Sequence, residues 1–135
     1  MRNASILVVK LSGLATEAIK NMVLAGIGRL VVVDGESVSE EDLGAGFFYR
    51  DGDVGQKVGM SIIFGNIASN LVQRLIAAKP RIESLNPLVS VEVFTDMAIQ
   101  DERFDNIISS VDLVCATDLD RDSLVRAPPL LPFFV

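Results

Sequence analysis

The sequence contains no histidine and a single cysteine, Cys115, among its 135 residues. Without histidine, the chain has neither a histidine-based catalytic triad nor a zinc site of the His-Glu-x-x-His type. One cysteine excludes an internal disulfide and agrees with a reducing compartment. Because Cys115 lies in an apolar, strand-like run, we expect a buried structural thiol there rather than a nucleophile.

Positive charge is also scarce. Lysine and arginine number 12 against 18 aspartate and glutamate, and the formal net charge of −6 argues against nucleic acid as the main partner. Half of the residues are apolar and 22% are charged, which is typical of a globular domain with its own core. The most apolar long stretch, 58–78, is interrupted by polar residues, and no N-terminal signal pattern is present. We therefore expect no association with membranes.

The first part of the chain predicts a strand–helix–strand unit. Ser5–Val9 is a short run of β-formers, of the kind that is buried on both faces of a parallel sheet. Helical spacing of apolar residues begins at Gly13, with Ser12 as the candidate cap and Gly26 as a stop signal. Leu30–Val33 is the next buried strand. Right-handed crossover geometry makes the two strands parallel.

Further elements follow in alternating order. The acidic segment 37–53 predicts a turn-rich loop, and a long helical region after it ends near Leu85, before Asn86-Pro87. The remaining pattern predicts a strand at Val89–Phe94, a short helix at Asp101–Ile108 and a buried strand at Val111–Cys115. This alternation predicts an α/β fold, a Rossmann-like parallel sheet flanked by helices, and the sheet is incomplete in this chain.

The turn from Lys10 to Ala15 lies where a dinucleotide-binding unit carries its glycines. Glycines let the backbone approach the phosphates, which the helix N-terminus binds. Here Gly13 is the one glycine, because Lys10 and Ala15 occupy two of the glycine places. Their side chains take up room that the phosphates need. A scaffold turn is therefore favoured over a phosphate cradle.

Two aspartates follow predicted strands. Asp34 closes the second strand, where a carboxylate can bind both ribose hydroxyls of a nucleotide, and an acidic loop residue is an equal alternative. Asp118 follows the strand Val111–Cys115, at the edge where open sheets place their ligands. It is a candidate ligand of Mg²⁺ near phosphates. The neighbouring Asp120 and Asp122 favour a turn-forming role instead.

Several separated motifs occur in the order seen in one protein family: RNASILVV, EAIKNMVLAGIGRLVVVDGESVSEEDLGAGFF, DVGQK, AAKPRIESLNPLVSVEV and VCATDLDRDSL. In these motifs the chain resembles the ThiF-like adenylating halves of ubiquitin-like-protein activating enzymes. The segment EEDLGAGFF resembles the smaller, non-catalytic subunit of the SUMO-activating enzyme in particular. The resemblance implies a ThiF-type fold from residue 2 to about 124, apart from one internal block.

In this family a catalytic half binds ATP and Mg²⁺ and adenylates the modifier, whereas the helper half keeps the fold with a decayed nucleotide site. Catalytic halves carry an Asn-Leu-Asn-Arg-Gln run after the second strand, where this chain reads Asp42-Leu43-Gly44-Ala45-Gly46. Ala45 therefore stands in the place of an arginine that would meet the phosphates. By resemblance, Gly13, Asp34 and Asp118 are cofactor-binding positions of a degenerate nucleotide site. We expect no catalytic residue, no metal site and no cofactor in this chain.

The resemblance also implies a partner. We expect a heterodimer with the catalytic subunit of the SUMO-activating enzyme, which would bind ATP and Mg²⁺, and a SUMO-type modifier as an indirect partner. The chain would then be inactive alone. The implied location is the nucleus, with the cytoplasm as the alternative.

We expect the chain to be a fragment of such a subunit. The family's N-terminal helix, its second half, its catalytic-cysteine segment and its ubiquitin-fold domain have no counterpart here. Segment 1–124 is the predicted partial adenylating domain, and 125–135, with three prolines, is predicted to be an aberrant tail. Val58–Gln73 is interpreted as an insertion or a retained intron, because its removal joins Lys57 to Arg74 in the family's register.

Two functions of other classes fit parts of the pattern. A stand-alone dinucleotide-dependent oxidoreductase would need a complete glycine-rich turn and a substrate domain, and neither is present. A pure interaction module would use a sheet edge and the aromatic cluster Phe47-Phe48-Tyr49. Apart from that alternative, we expect Phe47, Phe48 and the apolar tail 130–135 to lack cover within the chain, because the chain is a fragment.

Overall fold

The computed structural model describes residues 2–54, 74–97 and 101–119, together with the backbone of 133–134. The strands of these residues are β1 (Ser5–Val9), β2 (Arg29–Val33), β3 (Ser90–Phe94), β4 (Leu113–Ala116) and β5 (Phe133–Phe134). The helices are α1 (Gly13–Leu24), α2 (Glu40–Ala45), α3 (Arg74–Leu85) and α4 (Glu102–Ser109), and a 3-10 turn covers Asp51–Asp53.

The described strands form one parallel sheet in the order β3-β2-β1-β4-β5. In its register, Ile6 of β1 lies between Leu30 of β2 and Leu113 of β4. The chain first builds outward from β1 to β3 and then crosses back to the other side of β1. The strand order therefore reverses between β1 and β4, and the carboxyl edge at that point is where open α/β sheets bind ligands.

Both faces of the sheet are covered, which explains why its central strands are continuous apolar runs. Ile6 and Val8 of β1 face one way and pack with α1 and α3. Leu7 and Val9 face the other way and pack with α4. Because helices cover both faces, the side chains of the central strands are buried whichever way they point. The sheet is thus the middle of three layers, with helices on either side.

Helix α1 begins and ends at the residues that the sequence predicts. The Ser12 hydroxyl accepts a hydrogen bond from the Ala15 N–H at the N-terminus. At the C-terminus, Gly26 adopts a left-handed backbone with φ of 76° and its N–H donates to the Val23 carbonyl. The Ile27 N–H donates to the Met22 carbonyl, which completes a Schellman motif. The buried Ile27 side chain then leads the chain into β2.

Most predicted elements are confirmed, with shifts of one or two residues at their ends. Strand β1 has the predicted bounds, and α3 ends at Leu85 as predicted. The part of the long helical region before Arg74, including Val58–Gln73, lies outside the described residues. The sequence predicts no element in 125–135, whereas the backbone of Phe133–Phe134 pairs with β4. The rest of that tail also lies outside the described residues.

Two expectations about the segment 37–53 are wrong. It is not a loop throughout, because α2 forms inside it, capped by mutual contacts between Ser39 and Asp42. The aromatic cluster is also a surface feature only at Phe47. Phe48 is 1% exposed and Tyr49 is buried beside it, since both pack under α1 and α3, while Phe47 remains 43% exposed.

No helix in the described part of the chain is long and apolar enough to cross a membrane.

The left-handed conformation at Gly26 predicts which substitutions are tolerated there. We expect Gly26→Ala to destabilise the fold by about 1–2 kcal/mol, because a Cβ disfavours this backbone conformation. The nearest atom to such a Cβ, Asn86 Nδ2, is 3.9 Å away, so crowding contributes little. Gly26→Asn should cost less, since asparagine visits this region more readily. Urea unfolding of the three chains, each kept soluble on the same fusion partner, checks this, and equal losses for alanine and asparagine would contradict it.

Candidate functional site

The three residues named from the sequence lie at one edge of the sheet. Gly13 follows the turn after β1, Asp34 follows β2, and Asp118 follows β4. These strands are adjacent and parallel, so their carboxyl ends meet at the reversal point between β1 and β4. We call this region the carboxyl edge.

Lys10 begins the turn after β1 in a conformation that favours glycine. Its φ is 69°, in the left-handed region that side chains rarely adopt. Its N–H donates to the Val33 carbonyl, and its carbonyl accepts from the Thr117 hydroxyl at 3.0 Å. Its ammonium donates to the Asp118 carbonyl at 3.3 Å and lies 3.5 Å from Glu36. Lys10 thus occupies a position that favours glycine, and its side chain fills the space between Glu36 and Asp118 at the carboxyl edge.

Gly13 is required by the packing of α2 against α1. A Cβ on Gly13 would lie 2.7 Å from the Ala45 Cβ and 2.9 Å from the Ala45 carbonyl oxygen. The Thr16 hydroxyl reinforces this contact, because it donates to the Gly13 carbonyl and accepts from the Phe47 N–H at 3.4 Å. The last turn of α2 therefore lies against the first turn of α1. This contact alone explains why residue 13 is a glycine, so the glycine need not indicate a phosphate-binding turn.

Asp34 is buried and each of its carboxylate oxygens has a partner in the chain. One oxygen accepts from the Leu11 N–H and the other from the Glu36 N–H, both at 2.8 Å. Burial raises the pKa of Asp34, while these two N–H groups and Arg74 act in the opposite direction. The oxygens that would accept ribose hydroxyls thus hold the turn after β1 against the end of β2.

Sequence reasoning missed the residue that dominates this edge, Arg74 at the start of α3. Its Nε donates to one Asp42 oxygen at 2.9 Å, and its Nη2 lies 2.9 Å from the other. Its Nη1 donates to Glu36 and lies 3.8 Å from Asp34. The Arg74 side chain is only 13% exposed, and Asp34 and Asp42 are buried. A single sequence carries no signal for pairing an arginine with acids so far away along the chain.

The electrostatics of this cluster follow from its contacts. Burial disfavours the Asp42 carboxylate, yet hydrogen bonds from Arg74 and Ser39 outweigh burial and hold the pKa of Asp42 below its usual range. Burial acts to lower the pKa of Arg74, but the hydrogen bond to Asp42 and the nearby carboxylates outweigh burial, so that the pKa of Arg74 is raised above its usual value. The pair therefore stays fully ionised at neutral pH.

Asp118 is exposed and adopts a left-handed backbone with φ of 61°. Aspartate tolerates this conformation in turns, so the geometry matches the turn-forming interpretation. The preceding Thr117 is buried, and its hydroxyl accepts from the Ser12 hydroxyl at 2.9 Å. Thr117 thereby ties the end of β4 to the cap of α1. Cys115 is half-buried rather than buried as predicted, and burial raises the pKa of its thiol.

Among the described residues, the carboxyl edge does not have the charge that a polyphosphate requires. Two cations of these residues, Lys10 and Arg74, face three carboxylates, those of Asp34, Glu36 and Asp42. A phosphate cradle instead offers unpaired donors and positive charge at the helix N-terminus. The described residues of this edge therefore do not fit ATP and Mg²⁺ in that manner.

Two glycines of this region offer a matched test of the α1–α2 contact. We expect Gly13→Ala to destabilise the fold by about 1–3 kcal/mol, because the new Cβ overlaps the Ala45 backbone. Gly44→Ala in α2 meets no atom within 4 Å and should stabilise the fold by up to about 1 kcal/mol. Urea unfolding curves of the two variants, each kept soluble on the same fusion partner, should shift in opposite directions relative to the unchanged chain. A Gly13→Ala chain as stable as Gly44→Ala would contradict the contact.

Comparison with known proteins gives relatives that align over the same 126 residues. The chain is 36% identical to SUMO-activating enzyme subunit 1 of Xenopus tropicalis and 33% identical to that of Homo sapiens. It is 34% identical to the DNA damage tolerance protein RHC31 of Saccharomyces cerevisiae. Each alignment spans 126 residues, 93% of this chain and 31% of the relative. The chain therefore spans about a third of the length of the curated relatives that it matches.

A solved structure supports the fold alone. The crystal structure of PaaA superimposes with a TM-score of 0.67 at 21% identity. The match covers 85% of this chain and 31% of that one. At such low identity the match confirms an α/β, Rossmann-like architecture and carries no function.

The family model assigns the chain directly. The model of the ThiF family matches residues 1–122, which include β1 to β4 and all four described helices. This agrees with the resemblance seen in the separated motifs and with the parallel sheet. The chain belongs to the ThiF family.

Proposed function

We propose that this chain is part of the non-catalytic subunit of a heterodimeric SUMO-activating enzyme. In this role it supports the ATP-dependent adenylation of a ubiquitin-like modifier by the catalytic subunit and is inactive alone. The relatives named SUMO-activating enzyme subunit 1 support this proposal, because they align with nearly the whole chain. A nuclear location belongs to the same proposal.

The observation that carries the proposal is the internal neutralisation of Arg74. An adenylating site has to match the charge of a triphosphate with unpaired cations and N–H donors. Here the Arg74 guanidinium is held by Asp42 and Glu36, and the Asp34 carboxylate is held by backbone N–H groups. A subunit with this edge suits a supporting role, in which ATP and Mg²⁺ are bound by the catalytic partner.

The outer surface of one helical layer supports the partner in this proposal. Most of the exposed large apolar side chains in the described residues lie on the α1–α3 side of the sheet: Leu14, Leu24, Phe47 and Ile76. The Lys20 ammonium lies 4.7 Å from the centre of the Phe47 ring and partly shields it. Apolar surfaces of this kind are typical of the interfaces of obligate complexes. We propose that the catalytic subunit covers this layer.

The first prediction of this function concerns ATP. We expect the chain to show no micromolar affinity for ATP and Mg²⁺, because the cation and the carboxylate of the carboxyl edge are paired internally. Calorimetry on the chain, kept soluble as a fusion protein, measures this, with the fusion partner alone as the blank. Micromolar binding that Asp118→Ala abolishes would overturn the prediction and indicate a working nucleotide site.

The second prediction concerns the partner. We expect the chain to aggregate when expressed alone and to co-elute with the catalytic SUMO-activating subunit when the two are co-expressed. Leu14→Glu with Phe47→Glu should abolish co-elution, because both side chains lie on the proposed interface. Leu88→Glu is the matched control, since Leu88 is 84% exposed in the loop before β3. A monodisperse monomer that ignores the partner would count against the heterodimer.

A further inference from the structure

A cavity lies at the amino edge of the sheet, on the side opposite the carboxyl edge. Its volume is about 450 Å³, and it is lined by Arg2, Ala25, Gly26, Ile27, Asn86 and Leu88. These residues precede the amino ends of β1, β2 and β3, which are neighbours in the sheet. The volume is within the range of about 300–1,000 Å³ that is usual for ligand sites. We call it the amino-edge cavity.

The walls of the amino-edge cavity are fixed by contacts within the chain. Asn86 Nδ2 donates to the Val23 carbonyl in the last turn of α1, and Asn86 Oδ1 accepts from the Leu88 N–H, both at 3.1 Å. One amide thus joins the end of α1 to the loop before β3. On the third side, a Cβ on Gly28 would lie 2.3 Å from the Arg2 carbonyl oxygen, so the chain before β1 lies directly on this glycine. A ligand therefore need not order these walls on binding.

The polar groups of the cavity are one cation and a set of acceptors. The Arg2 side chain is exposed and takes part in no ion pair or hydrogen bond among the described residues. The carbonyls of Ala25 and Gly26, just after α1, accept no backbone hydrogen bond from the described part of the chain. The last turn of α1 contains no basic residue that would offset its negative end. A guanidinium favours a carboxylate, and unpaired carbonyls favour N–H donors such as those of a peptide.

The apolar part of the cavity is dominated by Leu88. Its side chain is 84% exposed in the loop between α3 and β3, and Ala25 and Ile27 line the same cavity. A single exposed leucine is common on protein surfaces and needs no explanation by itself. Here it borders the same cavity as the Arg2 cation. This combination selects a ligand that is apolar at one point and anionic at another.

We propose that the amino-edge cavity binds an extended peptide segment of a partner protein, in which a leucine-like residue lies next to an aspartate or a glutamate. The carboxylate pairs with Arg2, the apolar side chain covers Leu88, and backbone N–H groups donate to the Ala25 and Gly26 carbonyls. Charge complementarity favours this occupant, since a basic segment would repel Arg2 and an uncharged one would leave it without a partner. The site goes beyond the proposed function, because it uses no residue of the carboxyl edge or of the proposed heterodimer interface.

The test uses two peptides that differ in one charge, N-acetyl-Leu-Asp-Leu amide and N-acetyl-Leu-Asn-Leu amide. Titration followed by saturation-transfer NMR measures affinities in the millimolar range on the chain, kept soluble as a fusion protein, with the fusion partner alone as the blank. We expect the aspartate peptide to bind about fivefold more tightly at low salt, because the ion pair with Arg2 is exposed and its contribution is modest. Equal affinities of the two peptides, or binding of neither, would overturn the proposal.

Variants of the chain assign the preference to the cavity. Arg2→Gln should bind the two peptides equally, because it removes the cation that pairs with the aspartate. Arg103→Gln is the matched control, since it removes the same charge from an exposed side chain on α4, outside the cavity, and it should keep the preference. Leu88→Gln should weaken both peptides about equally, because both cover this leucine. Loss of the preference in Arg103→Gln as well as in Arg2→Gln would indicate a general charge effect and contradict the site.

Co-elution separates this inference from the proposed function. We expect Arg2→Gln and Leu88→Gln to co-elute with the catalytic SUMO-activating subunit as the unchanged chain does, and the aspartate peptide not to displace that subunit. Displacement would assign the cavity to the heterodimer interface and overturn the inference. A failure of the peptides to bind, with co-elution unchanged, would overturn the inference and leave the proposed function standing.

Discussion

The Arg74 guanidinium joins parts of the chain that are far apart in sequence. It is hydrogen-bonded to Asp42, 32 residues away, and to Glu36, 38 residues away, while its own N–H donates to the Glu36 carbonyl. Because Asp42 is buried and Arg74 is largely so, neither charge is stable without the other. The start of α3, the helix α2 and the end of β2 are therefore placed together by one ion-pair cluster.

The same cluster determines what the carboxyl edge offers to a ligand. Asp34 reaches from β2 to the Leu11 N–H, and Lys10 reaches from the turn to Glu36 and to the Asp118 carbonyl. Asp34 and Lys10, which would meet a ribose and a phosphate in a nucleotide-binding edge, are thus already bonded to other parts of the chain. Their polar groups hold strands and helices together.

The sheet could be predicted from the sequence because the patterns that indicate its strands and helices are local. A buried parallel strand is a short apolar run, and α1 carries its own cap at Ser12 and its own stop at Gly26. Helix α2 has no such apolar pattern, since its six residues include three acids, and it is stabilised by the Ser39–Asp42 box and by Arg74. Its one local signal is serine followed three residues later by an acid.

The residues Phe48 and Asp42 show why the rest of the site was missed. Phe48 lies in a polar segment, so its neighbours in sequence indicate exposure, yet it is buried under α3, where Arg81 donates to its carbonyl. Asp42 is one of many acids in that segment, and nothing local distinguishes the one that pairs with Arg74. Such pairings are set by tertiary packing between segments that are distant in sequence, and no local pattern of a single sequence indicates them.

The turn after β1 is held firmly by bonds within the described part of the chain. Lys10 keeps an unfavourable left-handed backbone because Val33, Thr117 and Asp118 all bond to it. A strained residue persists only where its surroundings over-determine it. In a supporting subunit of the kind proposed here, that rigidity presents the α1–α3 layer to a partner without requiring a bound nucleotide to order it.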